Sequence, residues 1–478
     1  MTMHKLFLFG LFGITTSAVV TATGSGNSTA AYSTKAPVDP GVRGGQAAAG
    51  GPLRGLTADE LAFFNDGASR FAEIESVTGG TNNGLGPRFN GNQCLLCHVQ
   101  PAPGGSSPST NPQITLATLN GAKNTVPWFT KSDGPIREVR FKKNPDGSVD
   151  GGVHAVFVIS GRSDAHGCNI AQPDFGRPGN PVTGQGGNPN LSFRIATPLF
   201  GLGLVESIPD SAILANSREN AAQKKGMGIS GHPNAHISGV ANRSANDGTI
   251  TRFGWKAQNK SLLLFAGEAY NVEMGITNEL FPQERDYTPG CIFKATPEDA
   301  LNFTPPSSGA TPAPYAAVPS DIEAFANFMR MLAPPEPAPD TPSTINGKAL
   351  FASVGCALCH TPSMRTAKAI ASGSSTSPSA ALSDQPVNLY SDLLAHHMGA
   401  ALADGIAQGG ATGDEFRTAP LWGIGQRIYF LHDGRTHDLL EAIKIHKSPH
   451  SEANRVIQKF RKLSSEQQQD ILNFLRNL

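Results

Sequence analysis

Two five-residue stretches decide the fold: Cys94-Leu95-Leu96-Cys97-His98 and Cys356-Ala357-Leu358-Cys359-His360. Two cysteines three positions apart lie about one helical turn apart, so both thiols can bond the vinyl carbons of a single porphyrin. The histidine that follows then lies beneath the iron as its proximal ligand. We interpret the stretches, called the first motif and the second motif, as attachment sites for two covalently bound c-type haems. Their four cysteines bind haem, and His98 and His360 bind iron.

Two other uses of paired cysteines fit less well. A zinc ribbon normally places its two Cys-x-x-Cys pairs within about 15–20 residues of each other, whereas these pairs lie 262 positions apart, at 94 and 356. A thioredoxin-like redox pair needs a βαβ context, and neither motif follows a strand-like run. Covalent haem is therefore the favoured interpretation of both motifs.

The composition points to a loop-rich, mainly helical protein. With 478 residues, of which 39% are hydrophobic, the chain is long enough for two or three domains. Its 53 glycines and 36 prolines exceed the usual share of these residues and predict long loops and little sheet. A formal net charge of zero gives no support for a nucleic-acid partner or a polybasic membrane patch.

The N-terminus has the features of an export signal. Lys5 precedes an apolar stretch over 6–20, and small residues at 20–22 suit cleavage. We expect a signal peptide over 1–22, with an uncleaved anchor as the alternative, followed by a disordered leader over 23–52. Export agrees with haem attachment and predicts a periplasmic or otherwise exported protein. No later segment approaches 18 apolar residues, so we do not expect an integral membrane protein.

The remaining sequence predicts two cytochrome c-like haem domains. An N-terminal domain with insertions is expected over 53–333, a stiff Pro-rich linker over 334–343, and a compact C-terminal domain over 344–478. The first domain begins with a capping box at Thr57–Glu60 and a periodic helix. Each domain then follows the plan of helix, haem motif, loops and final helix.

Two cysteines remain outside the motifs. In an oxidising compartment an unpaired thiol is unusual, so we predict a disulfide between Cys168 and Cys291. Two separately buried thiols are the alternative.

Several segments resemble the di-haem oxidoreductases often labelled putative peroxidases or thiol oxidoreductases, over about residue 53 to the C-terminus. They are 84–90, 200–206, 252–257 and 390–394. Three more are similar to bacterial di-haem cytochrome c peroxidases and MauG-type enzymes: 417–421, 430–435 and 439–443. The thiol label has no support, because haem uses both Cys-x-x-Cys pairs.

The resemblance implies a function. Hydrogen peroxide, or another small oxidant, would be reduced at the N-terminal haem, with electrons relayed through the C-terminal haem from a small periplasmic cytochrome or cupredoxin. The alternatives are an electron carrier without a substrate site and a MauG-type oxidation of an organic or protein substrate. A homodimer is possible by resemblance, and calcium is left uncertain because the loop at 426–429 lacks the Thr-Ala-Pro of the related peroxidases.

The resemblance also suggests the second axial ligand of the C-terminal haem. The peroxidases carry a methionine fourteen positions after the histidine of a Phe-His-Asp/Ser-Gly motif. Fourteen positions after His432 this chain has His446, which implies a His360/His446 pair. Met398 is the main alternative. The other candidates are His396, His397, His432 and His437.

The N-terminal haem has no obvious distal ligand. Glu206, in an apolar and glycine-rich segment, is the leading acid/base candidate, because burial raises a carboxyl pKa towards useful values. His154 and His166 are its rivals. Among three tryptophans we expect Trp255 to lie between the haems, although packing is the usual role of a buried tryptophan. The expected partners of the haem propionates are Arg252 and Arg435.

Overall fold

The computed structural model describes residues 36–176, 188–235, 250–304, 316–370 and 378–478. The predicted signal peptide over 1–22 and the start of the predicted leader lie outside these residues. The structure is 29% helical and 11% strand, so helix dominates the regular structure, as the composition predicts, with short strands between. None of the described helices has the length and apolar character needed to cross a membrane.

The α-helices of the described residues are mostly short. They are α1 (Ala58–Phe71), α2 (Gln113–Leu116), α3 (Leu202–Glu206), α4 (Asp210–Arg218), α5 (Ala221–Met227), α6 (Leu262–Met274), α7 (Asp321–Met331), α8 (Pro342–Val354), α9 (Leu439–Lys444), α10 (Asn454–Phe460) and α11 (Ser465–Asn477). Each haem motif begins with a single turn of 3-10 helix, over Cys94–Leu96 and Cys356–Leu358, which holds the two cysteines of a pair on one side.

The strands form small antiparallel sheets. They are β1 (Arg88–Phe89), β2 (Arg137–Phe141), β3 (Val153–His154), β4 (Phe157–Val158), β5 (Leu191–Ile195), β6 (Asn302–Thr304), β7 (Ala316–Val318), β8 (Met364–Arg365), β9 (Pro386–Val387), β10 (Ala395–His397) and β11 (Glu415–Arg417). The order β3-β2-β5 makes a three-stranded sheet, and β1-β4, β6-β7, β8-β9 and β10-β11 are pairs. Two sheets matter below, because β2 and β10–β11 bear residues of the candidate site.

The first motif is supported by the crossing of α1 and α7. The predicted capping box begins α1, since the Thr57 hydroxyl accepts a hydrogen bond from the backbone N–H of Glu60 and the Glu60 carboxylate accepts one from that of Thr57. The helices approach closely at Gly67, where an added Cβ would lie 2.2 Å from a backbone oxygen of α7. Phe71 then packs on Phe328, with ring centroids 4.8 Å apart, and lies 6.0 Å from the ring of His98.

The second motif repeats this arrangement with α8 and α11. Gly347 marks the close approach, since its Cβ would lie 2.0 Å from a backbone oxygen of α11. Four residues later, Phe351 packs against Phe474 with ring centroids 5.5 Å apart and lies 6.1 Å from the ring of His360. The same sequence of glycine, phenylalanine and motif histidine therefore fixes both motif histidines against a helix pair.

The predicted disorder of the leader is wrong for residues 36–52, and the predicted stiff linker over 334–343 does not separate two compact units. Within the leader, Asp39 accepts two hydrogen bonds from Arg476, at 2.7 and 2.6 Å, and Arg43 donates its backbone N–H to Gly425. Residues 36–478 form one compact unit, and the largest hydrophobic cluster contains residues from both sides of 334–343. Buried ion pairing and shared apolar packing therefore hold residues 36–52 and the Pro-rich segment in place.

The predicted disulfide between Cys168 and Cys291 is confirmed. The bond spans 123 positions of the chain, so it constrains a large loop of the unfolded state.

We expect the double variant Cys168→Ala/Cys291→Ala to lose about 2–5 kcal/mol in free energy of unfolding, because a long crosslink restricts the unfolded chain. Denaturant titration followed by circular dichroism measures this loss, with reduced wild-type protein as the control. An unchanged midpoint in the double variant would contradict the prediction.

Candidate functional site

The second motif opens into a cavity of about 1340 Å3 that we call the second cavity. Cys356, Cys359 and His360 all line it. His360 donates from Nδ1 to the backbone carbonyl of Tyr390 at 3.0 Å, which fixes the ring and leaves Nε2 as its metal-binding nitrogen. Burial lowers the pKa of His360 to about 4, with a further lowering from His446. The imidazole is therefore neutral and able to bind a metal.

His446 lines the same cavity. It lies just after α9 and donates from Nδ1 to the carbonyl of Ala442, one helical turn earlier, at 2.7 Å. Burial lowers the pKa of His446 as well. Both histidines of the predicted His360/His446 pair are therefore neutral and anchored through Nδ1, with Nε2 left for a metal.

The other predicted ligands of this haem are placed differently. His396 lines the cavity but uses both ring nitrogens, on Asp392 at 2.9 Å and on Glu452 at 2.7 Å. His432 lines it with its ring stacked on Phe416. Met398 also lines the second cavity, so it stays the alternative ligand. The two remaining candidates, His397 and His437, are not among the described residues of the lining.

Two buried arginines in the second cavity were missed as candidates from sequence. Arg417 and Arg427 both line it, and burial lowers the pKa of each to about 10. Within the described part of the chain, Nε and Nη2 of Arg427 have no hydrogen-bond partner. A buried cation with unsatisfied donors is costly, so an anionic group in this cavity would stabilise it. The sequence offers no local signal that distinguishes these arginines from others.

The first motif opens into the first cavity, of about 1190 Å3. Cys94, Cys97 and His98 line it. His98 donates from Nδ1 to the carbonyl of Gly105 at 3.1 Å, and burial lowers its pKa to about 4. Among the described lining residues His98 is the only histidine, and the methionines there are Met274 and Met329. The two cavities thus differ in the nitrogen ligands they offer.

Two glutamates face each other in the first cavity. Glu138 comes from β2 and Glu273 from the last turn of α6, and both line the cavity. Burial raises the pKa of Glu273 well above its usual value, and the charge of Glu138 and a hydrogen bond with it raise it further. Glu138 accepts a hydrogen bond from Arg140 at 2.7 Å. The raised pKa favours Glu273 as a carboxylic acid beside Glu138, whose carboxyl group is paired with Arg140.

Glu206, the sequence-based acid/base candidate, lies elsewhere. It ends α3, and its Oε1 accepts the backbone N–H of Leu262 at 2.8 Å while its Oε2 pairs with Nε of Arg330 at 2.8 Å. It is buried but is not among the described residues of either lining. These contacts give Glu206 a structural role, joining α3, α6 and α7, and do not support an acid/base role.

We expect Glu206→Gln to destabilise the protein by about 1–3 kcal/mol, because a buried donor loses a charged partner, and to leave peroxide turnover within about twofold of wild type. Thermal unfolding and steady-state turnover measure the two effects. A large loss of turnover with unchanged stability would return Glu206 to the catalytic candidates.

The other candidates of the first haem also lie outside its cavity. His154 pairs with Asp150 at 2.7 Å, and His166 is exposed. The predicted propionate partners are engaged with protein groups: Arg252 binds Asp210 and backbone carbonyls, and Arg435 binds Asp433. The sequence alone could not show that these histidines and arginines lie outside the cavities.

Trp255 lines both cavities. Its indole N–H donates to the carbonyl of Ile195 at 2.9 Å, and the guanidinium of Arg427 lies 5.6 Å from its ring centroid. The side chain therefore stands between the first and the second cavity. Its predicted role as an electronic bridge stays a prediction.

A family model described as di-haem oxidoreductase, putative peroxidase, matches residues 187–478. The chain belongs to this family. The match contains the second motif, whereas the first motif lies before it. No curated protein matches the chain.

Two solved structures are similar to parts of this di-haem oxidoreductase. The hydrazine synthase of Kuenenia stuttgartiensis, pressurised with xenon, is 20% identical over 34% of this chain and 57% of its own, with a TM-score of 0.21. A MauG-like protein associated with microbial copper homeostasis is 19% identical over 33% of this chain and 52% of its own, with a TM-score of 0.22. The chain spans about half the length of these proteins.

The residues of both cavities fit the haems that the family implies. Each cavity contains a cysteine pair with a neutral, anchored histidine. The unsatisfied guanidinium of Arg427 fits an anionic propionate. Haem would therefore be held by the two motifs, with His446 as the second ligand in the second cavity.

Proposed function

We propose that this di-haem oxidoreductase is an exported, periplasmic enzyme that reduces hydrogen peroxide to two water molecules, consuming two electrons and two protons. When bound, the covalent haem of the first cavity supplies the iron at which the O–O bond is cleaved, and that of the second cavity supplies an electron relay. A small periplasmic cytochrome or cupredoxin is the proposed donor.

The observation that carries the proposal is the difference between the two cavities. The second offers two anchored neutral histidines, His360 and His446, which suits a six-coordinate iron that exchanges electrons. The first offers His98 as its only histidine among the described lining residues. With no second histidine among the described lining residues, the first cavity would suit an iron that binds a small oxidant opposite the motif.

The acid/base residues of the proposed reaction are Glu138 and Glu273. The carboxyl group of Glu138, paired with Arg140, accepts a proton from one oxygen of the peroxide. The carboxylic acid of Glu273 gives its proton to the oxygen that leaves as water. Because the pair holds one proton between two carboxyl groups, it serves as base and acid in turn. The pair still holds one proton, and its transfer from Glu138 to Glu273 restores the starting state, while two electrons from the donor and two protons from solvent convert the second oxygen to water.

Trp255 is the proposed route between the two cavities. Its indole lines both, and a hydrogen bond to the backbone of Ile195 fixes the ring. The guanidinium of Arg427 near the ring face disfavours a positive charge on the indole, so we assign Trp255 to electron passage without a persistent radical.

Electron paramagnetic resonance of the oxidised and half-reduced holoprotein tests the proposal. We expect one high-spin ferric signal that cyanide converts to low spin, and one low-spin signal that cyanide leaves unchanged. Turnover of peroxide with a reduced cytochrome should accompany the high-spin signal. Two low-spin signals that resist cyanide in both redox states, as a Met274 or Met329 ligand would produce, would contradict the proposal. They would indicate an electron carrier without a substrate site.

A further inference from the structure

A row of exposed cations covers the outer side of α10, whose inner side lines the second cavity. Val456 and Ile457 are buried and line the cavity. Arg455 and Lys459 are exposed and lie one helical turn apart. Lys462 continues the row, because its backbone N–H still bonds to the carbonyl of Lys459. One helix, about 10–12 Å across, therefore separates these cations from the cavity.

The end of α5 adds a fourth cation to this row. The guanidinium of Arg455 donates to the carbonyl of Gly226, which follows the exposed Lys225. Met227 then packs in the small apolar cluster that Val456 shares with the second motif. The four cations, which we call the basic face, are Lys225, Arg455, Lys459 and Lys462. The basic face therefore lies over the wall of the cavity where the second motif would attach its haem.

The basic face has no acidic partner within the described part of the chain. None of the ion pairs among the described residues involves its four cations. Residues 442–463 contain six lysines and arginines and one acid, Glu452, which is buried and binds His396. Because these like charges repel one another without an internal anion, an external anionic surface would stabilise them.

The surface beside the first motif has the opposite charge. Residues 58–75, which contain α1, have five acids and one arginine, and Asp59 and Asp66 are exposed. The formal net charge of zero is therefore the sum of two regions of opposite sign. An acidic partner is attracted to the side of the second motif and repelled from the side of the first.

We propose that the basic face docks a small redox protein whose redox centre lies beneath a surface of carboxylates. This inference rests on the proposed function, in which electrons enter through the second cavity. Each encounter oxidises the partner by one electron and reduces the iron held by the second motif by one electron. Complementary charges raise the rate of such encounters by about 10–10³-fold. The position of the cations on the wall of a redox cavity favours a redox protein over an anionic membrane.

Stopped-flow reduction of the oxidised holoprotein by flavodoxin hydroquinone, a small acidic redox protein of low potential, tests the docking surface. The absorbance of the low-spin haem gives the second-order rate constant. We expect it to fall about tenfold or more between about 0.01 and about 0.15 M ionic strength, because the Debye length shortens from about 30 Å to about 8 Å. Lys225→Glu/Lys459→Glu should lower it by about 10–100-fold at the lower ionic strength. Both side chains are exposed, so the substitutions leave the core intact.

Lys123→Glu/Lys143→Glu is the matched control. It changes the net charge by the same amount, at two exposed lysines in the N-terminal part of the chain, and should keep the rate constant with flavodoxin within about threefold of wild type. Reduced methyl viologen, a small cationic donor, should reduce the test variant no more slowly than the wild type. Rate constants with flavodoxin that do not depend on ionic strength, or that fall equally in both double variants, would overturn the proposal.

Peroxide turnover separates this inference from the proposed function. Salt-sensitive reduction by flavodoxin without turnover of peroxide would contradict the proposed function and support the docking surface. A test variant that methyl viologen also reduced more slowly would have a defect in the haem, which would overturn the docking surface. Cosedimentation of the wild type with phosphatidylglycerol vesicles, lost in the test variant while its flavodoxin rate stayed unchanged, would assign the basic face to a membrane and overturn the proposal.

Discussion

The Glu273→Gln variant should turn over hydrogen peroxide about 10²–10⁴ times more slowly than the wild type, which is the usual contribution of a positioned acid or base. Glutamine keeps the shape of the side chain and a hydrogen bond to Glu138, but it has no proton to transfer. Steady-state turnover with a reduced cytochrome measures the loss. Cyanide binding should be retained, which separates a failed proton transfer from a closed iron.

Glu268→Gln is the matched control for this prediction. Glu268 lies on the same helix and lines the same cavity, where it accepts a hydrogen bond from Asn259. We expect a change in turnover of less than about threefold, since Glu268 is outside the proton-sharing pair. If Glu273→Gln kept wild-type turnover, or if both variants lost it equally, the assignment of the acid would be wrong.

The pH profile of Glu138→Gln provides a second test of the same pair. Burial is the main cause of the raised pKa of Glu273, and the negative charge of Glu138 adds to it. Removing that charge lowers the pKa of Glu273, so the acid loses its proton at a lower pH. Turnover itself should fall because the variant lacks the proposed base, and we expect the alkaline limit of the remaining activity to move to lower pH. A limit that stays in place would exclude an interaction between the two carboxyl groups.

The second large effect concerns the two haem motifs. Cys356→Ala/Cys359→Ala should carry one haem in place of two by mass spectrometry of the exported protein, because no thiol of the second cavity can then form a thioether bond. Turnover with a reduced cytochrome should fall below detection, since the relay is lost. Cyanide should still bind at the first cavity.

The companion variant Cys94→Ala/Cys97→Ala should give the opposite pattern. One haem remains, its signal stays low-spin, and cyanide no longer binds, because His360 and His446 would supply both protein ligands of its iron. Cyanide binding that survived in this variant and disappeared in the Cys356→Ala/Cys359→Ala variant would reverse the proposed roles of the two cavities.

Local patterns allowed much of the fold to be predicted. The capping box at Thr57–Glu60 and the start of α11 after Ser464 are both present in the structure, because capping depends on residues within one helical turn. The Cys168–Cys291 disulfide followed from counting, since the motifs use the other cysteines. The order of residues 36–52 could not be predicted, because composition suggested a free leader whereas a distant partner, Arg476, holds Asp39.

The residues of the candidate site were likewise predicted where a local pattern marked them and missed where distant segments meet. The spacing of fourteen positions after His432, taken from the related peroxidases, led to His446, which does line the second cavity. An apolar surrounding suggested Glu206 as the acid, but a glycine-rich apolar segment indicates burial without indicating what the carboxylate meets, and here it meets Arg330. Glu138 and Glu273 lie on separate elements and carry no shared local signal, so sequence reasoning missed them.

The sequence by itself determined the two Cys-x-x-Cys-His motifs on which the proposed haem attachment depends, because five consecutive residues contain that chemistry. Only the tertiary structure decided which acid enters the first cavity, which arginine is left unsatisfied in the second, and which tryptophan lies between them. Each of these depends on segments far apart in the chain meeting in a buried space, where desolvation and a single neighbouring charge fix the protonation of a side chain.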